Sequence, residues 1–144
     1  MRVFKFGGAS IQSIERIKTT GAILKNNTQE KMLLVVSAMG KTTNALEKVA
    51  ESFFNGNQNE ALLLFNRVKQ QHLDTLKYIT VLNWQEAENR MKDFFTEVEW
   101  LLHDKPLKEY DFYYDQIVCC GELLSTWIMY QYCVEEKLNA CWVD

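Results

Sequence analysis

The chain has 144 residues, of which 47% are hydrophobic, and a formal net charge of −3. This is enough material for one hydrophobic core, and the weak negative charge without a basic run offers no long-range attraction for nucleic acid or an anionic membrane surface. Because the sequence enters a predicted strand at once and no apolar run is expected to span a bilayer, we predict a cytoplasmic protein without a signal peptide.

The first ten residues predict a strand, a glycine turn and a helix. Residues 2–6 alternate polar and apolar side chains, Gly7 and Gly8 follow, and apolar residues then recur at helical spacing from residue 11. Lys5 stands at the strand end and Ser10 where a helix N-cap is expected. Glycine N–H groups, a helix start and a lysine can bind a phosphate. An ordinary glycine turn with an exposed lysine is the alternative.

A second corner follows the apolar run at residues 32–36, which is typical of a central parallel strand covered on both faces. The next segment contains Gly40-Lys41-Thr42, but it is not a P-loop, because Val35 occupies the position where that motif needs its first glycine. Ser37 and Thr43 offer hydroxyl groups at the same predicted sheet edge as Lys5. Ordinary helix capping by Thr42 or Thr43 is the alternative.

Long amphipathic helices are predicted next, at about residues 45–54, 62–79, 84–102 and 113–134, with Gly121 as a possible break in the last. Glu122 is a charge inside an apolar stretch, so we expect it to be buried and paired with a cation, either from the protein or from a ligand. We expect the four cysteines, which form no metal-ligand spacing, to be reduced core thiols.

Residues 140–143 predict a third strand, so the fold class is α/β, with strands joined by crossover helices. Three strands are few for such a sheet. The chain also stops at Asp144, at the carboxyl edge of a predicted strand, where ligands of open α/β sheets bind. We therefore expect residues 1–144 to be the front part of a longer protein.

Three segments together resemble the aspartokinase signatures, in the same order: Lys5–Ser10, Val35–Met39 with Thr43–Asn44, and Gly121–Ser125. The two long helices between the second and third segments are also similar to that family, and the resemblance covers the whole chain. Other members of the amino-acid kinase superfamily share the Lys-x-Gly-Gly corner but generally lack the third segment and the helical insert. Ala9 stands where threonine is more usual, and Leu123 where arginine is common.

The resemblance implies the N-terminal portion of a three-layer α/β/α amino-acid kinase (carbamate kinase-like) fold with a long helical insert. The nucleotide-binding half and the ACT regulatory domains of such an enzyme would lie beyond residue 144. The implied reaction is phosphoryl transfer from ATP to the side-chain carboxylate of L-aspartate, at the entry to lysine, threonine and methionine biosynthesis. A homo-oligomer is implied for the full-length enzyme.

The resemblance also implies residue roles. Lys5 would be the catalytic cation on the phosphate oxygens, with Gly7 and Gly8 as N–H donors and Ser10 supporting that corner. Ser37 and Thr43 would contact aspartate, and Glu122 would pair with its α-ammonium group. Mg²⁺ would accompany ATP, held mainly by the phosphates and by residues outside this chain, so no metal ligand is expected within it.

Two alternatives stay open at this point. One is a sister kinase that acts on acetylglutamate, on glutamate or on UMP. The other is a non-catalytic helical interaction module, with residues 61–65 as its apolar contact face, although burial of that run in a core or dimer interface is the favoured interpretation.

Overall fold

The computed structural model describes residues 1–143 and consists of a small parallel sheet against a large helical layer. The strands are β1 (Arg2–Phe6) and β2 (Met32–Val36), and a 3-10 helix covers Gly8–Ile11. The α-helices are α1 (Ile14–Lys25), α2 (Thr42–Phe54), α3 (Gln58–Ile79), α4 (Trp84–His103), α5 (Tyr110–Val118) and α6 (Cys120–Glu135). The predicted helix-rich α/β arrangement is therefore confirmed.

The two strands pair in parallel, from Arg2 opposite Met32 to Phe6 opposite Val36, with α1 as the crossover between them. Their carboxyl ends consequently meet at one edge of the sheet. The ladder continues one residue past the strands, since the Ser37 N–H donates to the Phe6 carbonyl at 3.0 Å. The loops after β1 and β2 thus start side by side.

Helices cover one face of this sheet among residues 1–143. Phe4, Phe6 and Val36 point toward the helical layer, whereas Val3, Leu33 and Val35 on the opposite face are exposed. The expectation that β2 is covered on both faces is therefore not met within the described part of the chain. An apolar sheet face of this kind is suited to packing against a further layer.

The core lies between the long helices and explains why they form. On α3 the buried residues follow one another every three or four positions and form one continuous stripe. They are Ala61, Phe65, Val68, His72, Leu76 and Ile79. Burial of Ala61 and Phe65 shows that most of the run at residues 61–65 belongs to the core, which weakens the interaction-module interpretation.

At three places the local structure differs from what the sequence predicted. Ser10 lies inside the 3-10 helix, and Ser13 instead caps α1 by accepting a hydrogen bond from the Arg16 N–H. The last predicted helix does break, but at Cys119 rather than at Gly121. Residues 140–143 form no strand among the described residues, because this extended segment has no ladder partner there and is held by side-chain packing of Trp142 on Phe94 and Trp127.

The cysteines divide into two pairs. All four are free thiols, Cys120 and Cys133 are buried, and Cys119 and Cys141 are exposed, so the prediction of core thiols is wrong for the second pair. Burial raises the pKa of Cys120 to about 12 and that of Cys133 to about 11. Neighbouring positions on a helix point in different directions, which is why Cys119 and Cys120 differ so sharply.

One helical stretch, Tyr110–Glu135, is long and apolar enough to cross a membrane by length and composition, contrary to expectation. Within the fold, however, 67% of its most apolar 18-residue window is buried against other parts of the chain. The stretch is also divided between α5 and α6. Both features are those of a core helix, whose apolar surface packs against protein.

Candidate functional site

The first corner of the candidate site follows β1. Lys5 is exposed at the end of that strand, and the described residues form no ion pair with it. Gly7 has an extended backbone and precedes the 3-10 helix without any side-chain cap, and its carbonyl accepts the Ser10 N–H at 2.9 Å. A cation and uncapped N–H groups thus lie next to each other, as anion binding requires.

Gly8 is required here by close packing. A Cβ atom at Gly8 would lie 2.5 Å from the Ala38 carbonyl oxygen and 2.9 Å from that of Gly40, distances that no side chain tolerates. The Gly8 carbonyl in turn accepts the Gly40 N–H at 3.0 Å. The loops after β1 and β2 are therefore in direct backbone contact. The sequence pattern indicated only a phosphate-binding role for Gly8 and gave no sign of this contact.

The second corner runs from Ser37 to Thr43. Ser37 and Thr43 are both half-buried, at the loop start and in the first turn of α2. The Thr42 hydroxyl is buried and donates to the Met39 carbonyl at 2.6 Å, and neither threonine caps α2 through its side chain. The capping alternative is therefore wrong. Thr43 has no side-chain hydrogen bond to another described residue, which leaves its hydroxyl available to a ligand.

The third corner is the start of α6, which packs directly on the second loop. A Cβ atom at Gly121 would lie 3.0 Å from the Ala38 Cβ, so the two backbones approach as closely as packing allows. Glu122 is exposed, and the expectation of a buried carboxylate is wrong, because its position on α6 points out of the apolar core. Its Oε1 accepts the Ala38 N–H at 3.4 Å, and no cation among residues 1–143 pairs with it.

Ser125 joins the second and third corners, although it was not among the predicted site residues. Its buried hydroxyl lies 2.7 Å from the Ser37 carbonyl oxygen and 3.1 Å from that of Glu122. The carbonyl of Ser37 is thereby fixed to the first turn of α6. A polar residue among the apolar positions of α6 was the available signal, since a buried hydroxyl needs a partner.

Together the three corners form one edge with separated charges. Lys5 and the uncapped glycine turn supply positive potential, whereas Glu122 supplies a carboxylate on the other side of the Ser37 loop. Such an arrangement fits a ligand that carries both an anionic and a cationic group. Within residues 1–143 there is no cluster of three His, Cys, Asp or Glu side chains that could hold a metal ion.

The parallel strands and the loops at their carboxyl ends define an α/β protein whose candidate site lies at the sheet edge where such folds bind ligands. The chain belongs to the amino acid kinase family, whose sequence profile matches residues 1–144. Aspartokinase 1, chloroplastic, of Arabidopsis thaliana is 31% identical over 141 residues, covering 90% of this chain and 23% of that protein. Lysine-sensitive aspartokinase 3 of Escherichia coli (strain K12) is 27% identical over 144 residues, covering 99% of this chain and 30% of that protein.

Solved structures show the same fold. E. coli aspartokinase III in complex with lysine and aspartate, in its T-state, superposes with a TM-score of 0.85 at 22% identity. The same enzyme in complex with aspartate and ADP, in its R-state, gives a TM-score of 0.81 at 23% identity. Each match covers all of this chain and 31% of the solved one. The chain thus spans less than a third of the length of these relatives.

Proposed function

We propose that this chain is the N-terminal, amino-acid-binding part of the catalytic domain of an aspartokinase. The observation that carries the proposal is the direct contact of the three motif loops at one sheet edge, through the Gly40–Gly8, Ala38–Glu122 and Ser125–Ser37 hydrogen bonds. The relatives named above are aspartokinases, and one of them, the E. coli aspartokinase III, was solved with aspartate in two different complexes. The complete protein would phosphorylate the side-chain carboxylate of L-aspartate with ATP.

In this reaction an aspartate carboxylate oxygen forms a bond to the γ-phosphorus, and the bond from that phosphorus to ADP breaks. No general base is needed, because a carboxylate is already ionised at pH 7. Lys5 would neutralise charge on the transferring phosphoryl group, and the N–H groups at Gly7 and Gly8 would hold its oxygens, with Ser10 as support.

On the substrate side, Glu122 would pair with the α-ammonium group, and Ser37 and Thr43 would donate hydroxyl hydrogen bonds to aspartate. An exposed carboxylate with no protein cation beside it is suited to that role. Mg²⁺ would supply charge neutralisation on the nucleotide. It would be held mainly by the phosphates and by residues outside this chain.

ADP release by the complete protein with Mg-ATP tests the proposal, with aspartate, glutamate, N-acetylglutamate and UMP as acceptors. We expect turnover with aspartate alone. Lys5→Ala should lower kcat by about 10²- to 10³-fold, as loss of one transition-state contact does. Lys31→Ala is the matched control, because Lys31 is also exposed but precedes β2 at the opposite sheet edge.

Glu122→Gln should raise KM for aspartate more than it lowers kcat, because it removes a ground-state contact. Turnover with another acceptor and indifference to Glu122→Gln would favour a sister kinase and overturn the assignment. Residues 1–144 alone should be inert, and aspartate-dependent ADP release from them would contradict the fragment proposal. A cytoplasmic location and a homo-oligomeric full-length enzyme remain predictions.

A further inference from the structure

A second cavity lies away from the three corners, between α4, α6 and the segment that follows α6. We call it the α4–α6 groove; Asn83, Glu86, Trp127, Tyr130, Gln131 and Trp142 line it. Its volume is about 370 Å³, which accommodates a small organic molecule. Gln131 lies nine residues beyond Glu122 on α6, and at 1.5 Å per residue this places it about 13 Å from the first site along the helix.

Gln131 is the observation that points to a ligand. Its side chain is 4% exposed and lines the groove, yet it makes no hydrogen bond to another described residue. Nearby buried polar groups are satisfied: Trp127 Nε1 donates to the Ala87 carbonyl at 2.9 Å and Trp142 Nε1 to the Thr126 hydroxyl at 3.3 Å. Among the described residues, the enclosed side-chain atoms without a partner are His72 Nε2 and Thr80 Oγ1, so the Gln131 amide instead opens into the groove and is available to a group that enters it.

The remaining lining determines the class of ligand. Trp127 lies 5.4 Å from Tyr130 and 5.5 Å from Trp142 between ring centroids, and both indole N–H groups are already bonded. Trp127 is buried against the other two rings, so the ring surface open to the groove belongs mainly to the half-buried Tyr130 and Trp142. Glu86 adds a carboxylate, and none of the described residues that line the groove is a lysine or an arginine. Aromatic faces beside a carboxylate attract cations.

We propose that the α4–α6 groove binds a small organic ammonium ion that carries N–H donors and a short alkyl chain. The ammonium group donates to the Glu86 carboxylate and the Gln131 amide oxygen, and the alkyl chain packs on Trp127, Tyr130 and Trp142. A quaternary ammonium ion lacks the N–H donors that Gln131 needs. The proposal concerns residues outside the three corners and does not depend on the proposed kinase function.

The test titrates the ¹⁵N-labelled full chain with n-butylammonium chloride and follows side-chain amide and indole N–H signals. We expect saturable shifts of the Gln131 amide and of the Trp127 and Trp142 indoles, with Kd on the order of 1 mM for so small a probe. Trp100, which is exposed elsewhere on α4, should not shift. Tetramethylammonium and n-pentanol should bind at least about fivefold more weakly, since each lacks one of the proposed contacts.

Two variants separate the contribution of the Glu86 ion pair from that of the Gln131 hydrogen bond. Glu86→Gln should weaken n-butylammonium binding by about fivefold, the usual effect of one partly exposed ion pair. Glu60→Gln is the matched control, because Glu60 occupies the same first-turn position on α3 outside the groove. Gln131→Met, which keeps side-chain length, should abolish the preference for n-butylammonium over tetramethylammonium, because the hydrogen bond that distinguishes the two probes is lost. Equal binding of the neutral probe to the wild-type chain, equal effects of the two glutamate variants, or shifts confined to other residues would overturn the proposal.

Discussion

His72 should make the stability of this protein fall steeply between pH 7 and pH 5. Its ring is fully buried on α3, its Nδ1 lies 2.8 Å from the Val68 carbonyl oxygen, and its Nε2 has no partner among the described residues. Burial lowers the pKa of His72 from 6.5 to about 4, partly opposed by the hydrogen bond to Val68. Protonation in the fold would place a charge and an unbonded N–H in the core.

The sign of the effect follows from proton uptake on unfolding. Because the pKa of His72 is lower in the folded than in the unfolded chain, the unfolded state binds more protons between pH 6.5 and pH 4, and stability is lost as pH falls through that window. With those two values, the loss between pH 7 and pH 5 is about 2 kcal/mol, and it saturates at about 3 kcal/mol below pH 4.

Urea unfolding at pH 7 and pH 5, followed by tryptophan fluorescence, measures this loss. In the variant His72→Met the two free energies of unfolding should differ by about 2 kcal/mol less than in the wild-type chain, because carboxylate titration contributes equally to both proteins. His103→Met, at an exposed position, is the matched control and should behave like the wild type. If the wild-type chain and His72→Met lose the same stability, the reasoning about the buried ring is wrong.

Three further predictions concern the packed loops and the thiols. Gly8→Ala should cost about 1–3 kcal/mol of unfolding free energy, because its Cβ would overlap the Ala38 carbonyl; a thermal melt should show the fall in Tm. Ser125→Ala should cost about 1–2 kcal/mol and speed hydrogen exchange at the Ala38 N–H, whereas unchanged exchange would show that the serine does not hold the loop. Iodoacetamide at pH 8 should modify Cys119 before Cys120, whose pKa is raised to about 12 by burial, and mass spectrometry would detect the reverse order if the burial is wrong.

The helices could be predicted well from the sequence because each carries a long apolar stripe. The stripe of α3 runs from Ala61 to Ile79 without interruption, and its periodicity is a local property. Strand pairing is not local, so residues 140–143 looked like a strand although no neighbour pairs with them among the described residues. The exposed face at Leu33 and Val35 was missed for the same reason, since coverage depends on what packs there.

The sequence predicted that the first two motifs share one sheet edge, whereas the contacts between all three motifs come from the structure. Nothing in local periodicity indicates that a Cβ at Gly8 would overlap the Ala38 carbonyl, or that Ser125 reaches Ser37. For Glu122 the sequence predicted too much: its apolar neighbours in the sequence led to the expectation of burial, but the side chain is exposed. On a helix, one position among apolar neighbours can still face outward, since adjacent residues are about 100° apart.

The hydrogen bond between Ser125 and Ser37 also has a consequence for the order in which parts of the chain fold. The bonds that hold the second loop to α6 connect residues 84 and 88 positions apart. During synthesis, β1, α1 and β2 are complete long before residue 125 leaves the ribosome, so this edge waits for most of the chain. Until then the Ser37 carbonyl and the Ala38 N–H lack their α6 partners, and the second loop is joined to the first through Ser37 N–H to Phe6 and Gly40 N–H to Gly8. A ligand that requires the finished edge is therefore a reporter of late folding, not of the early strand pairing.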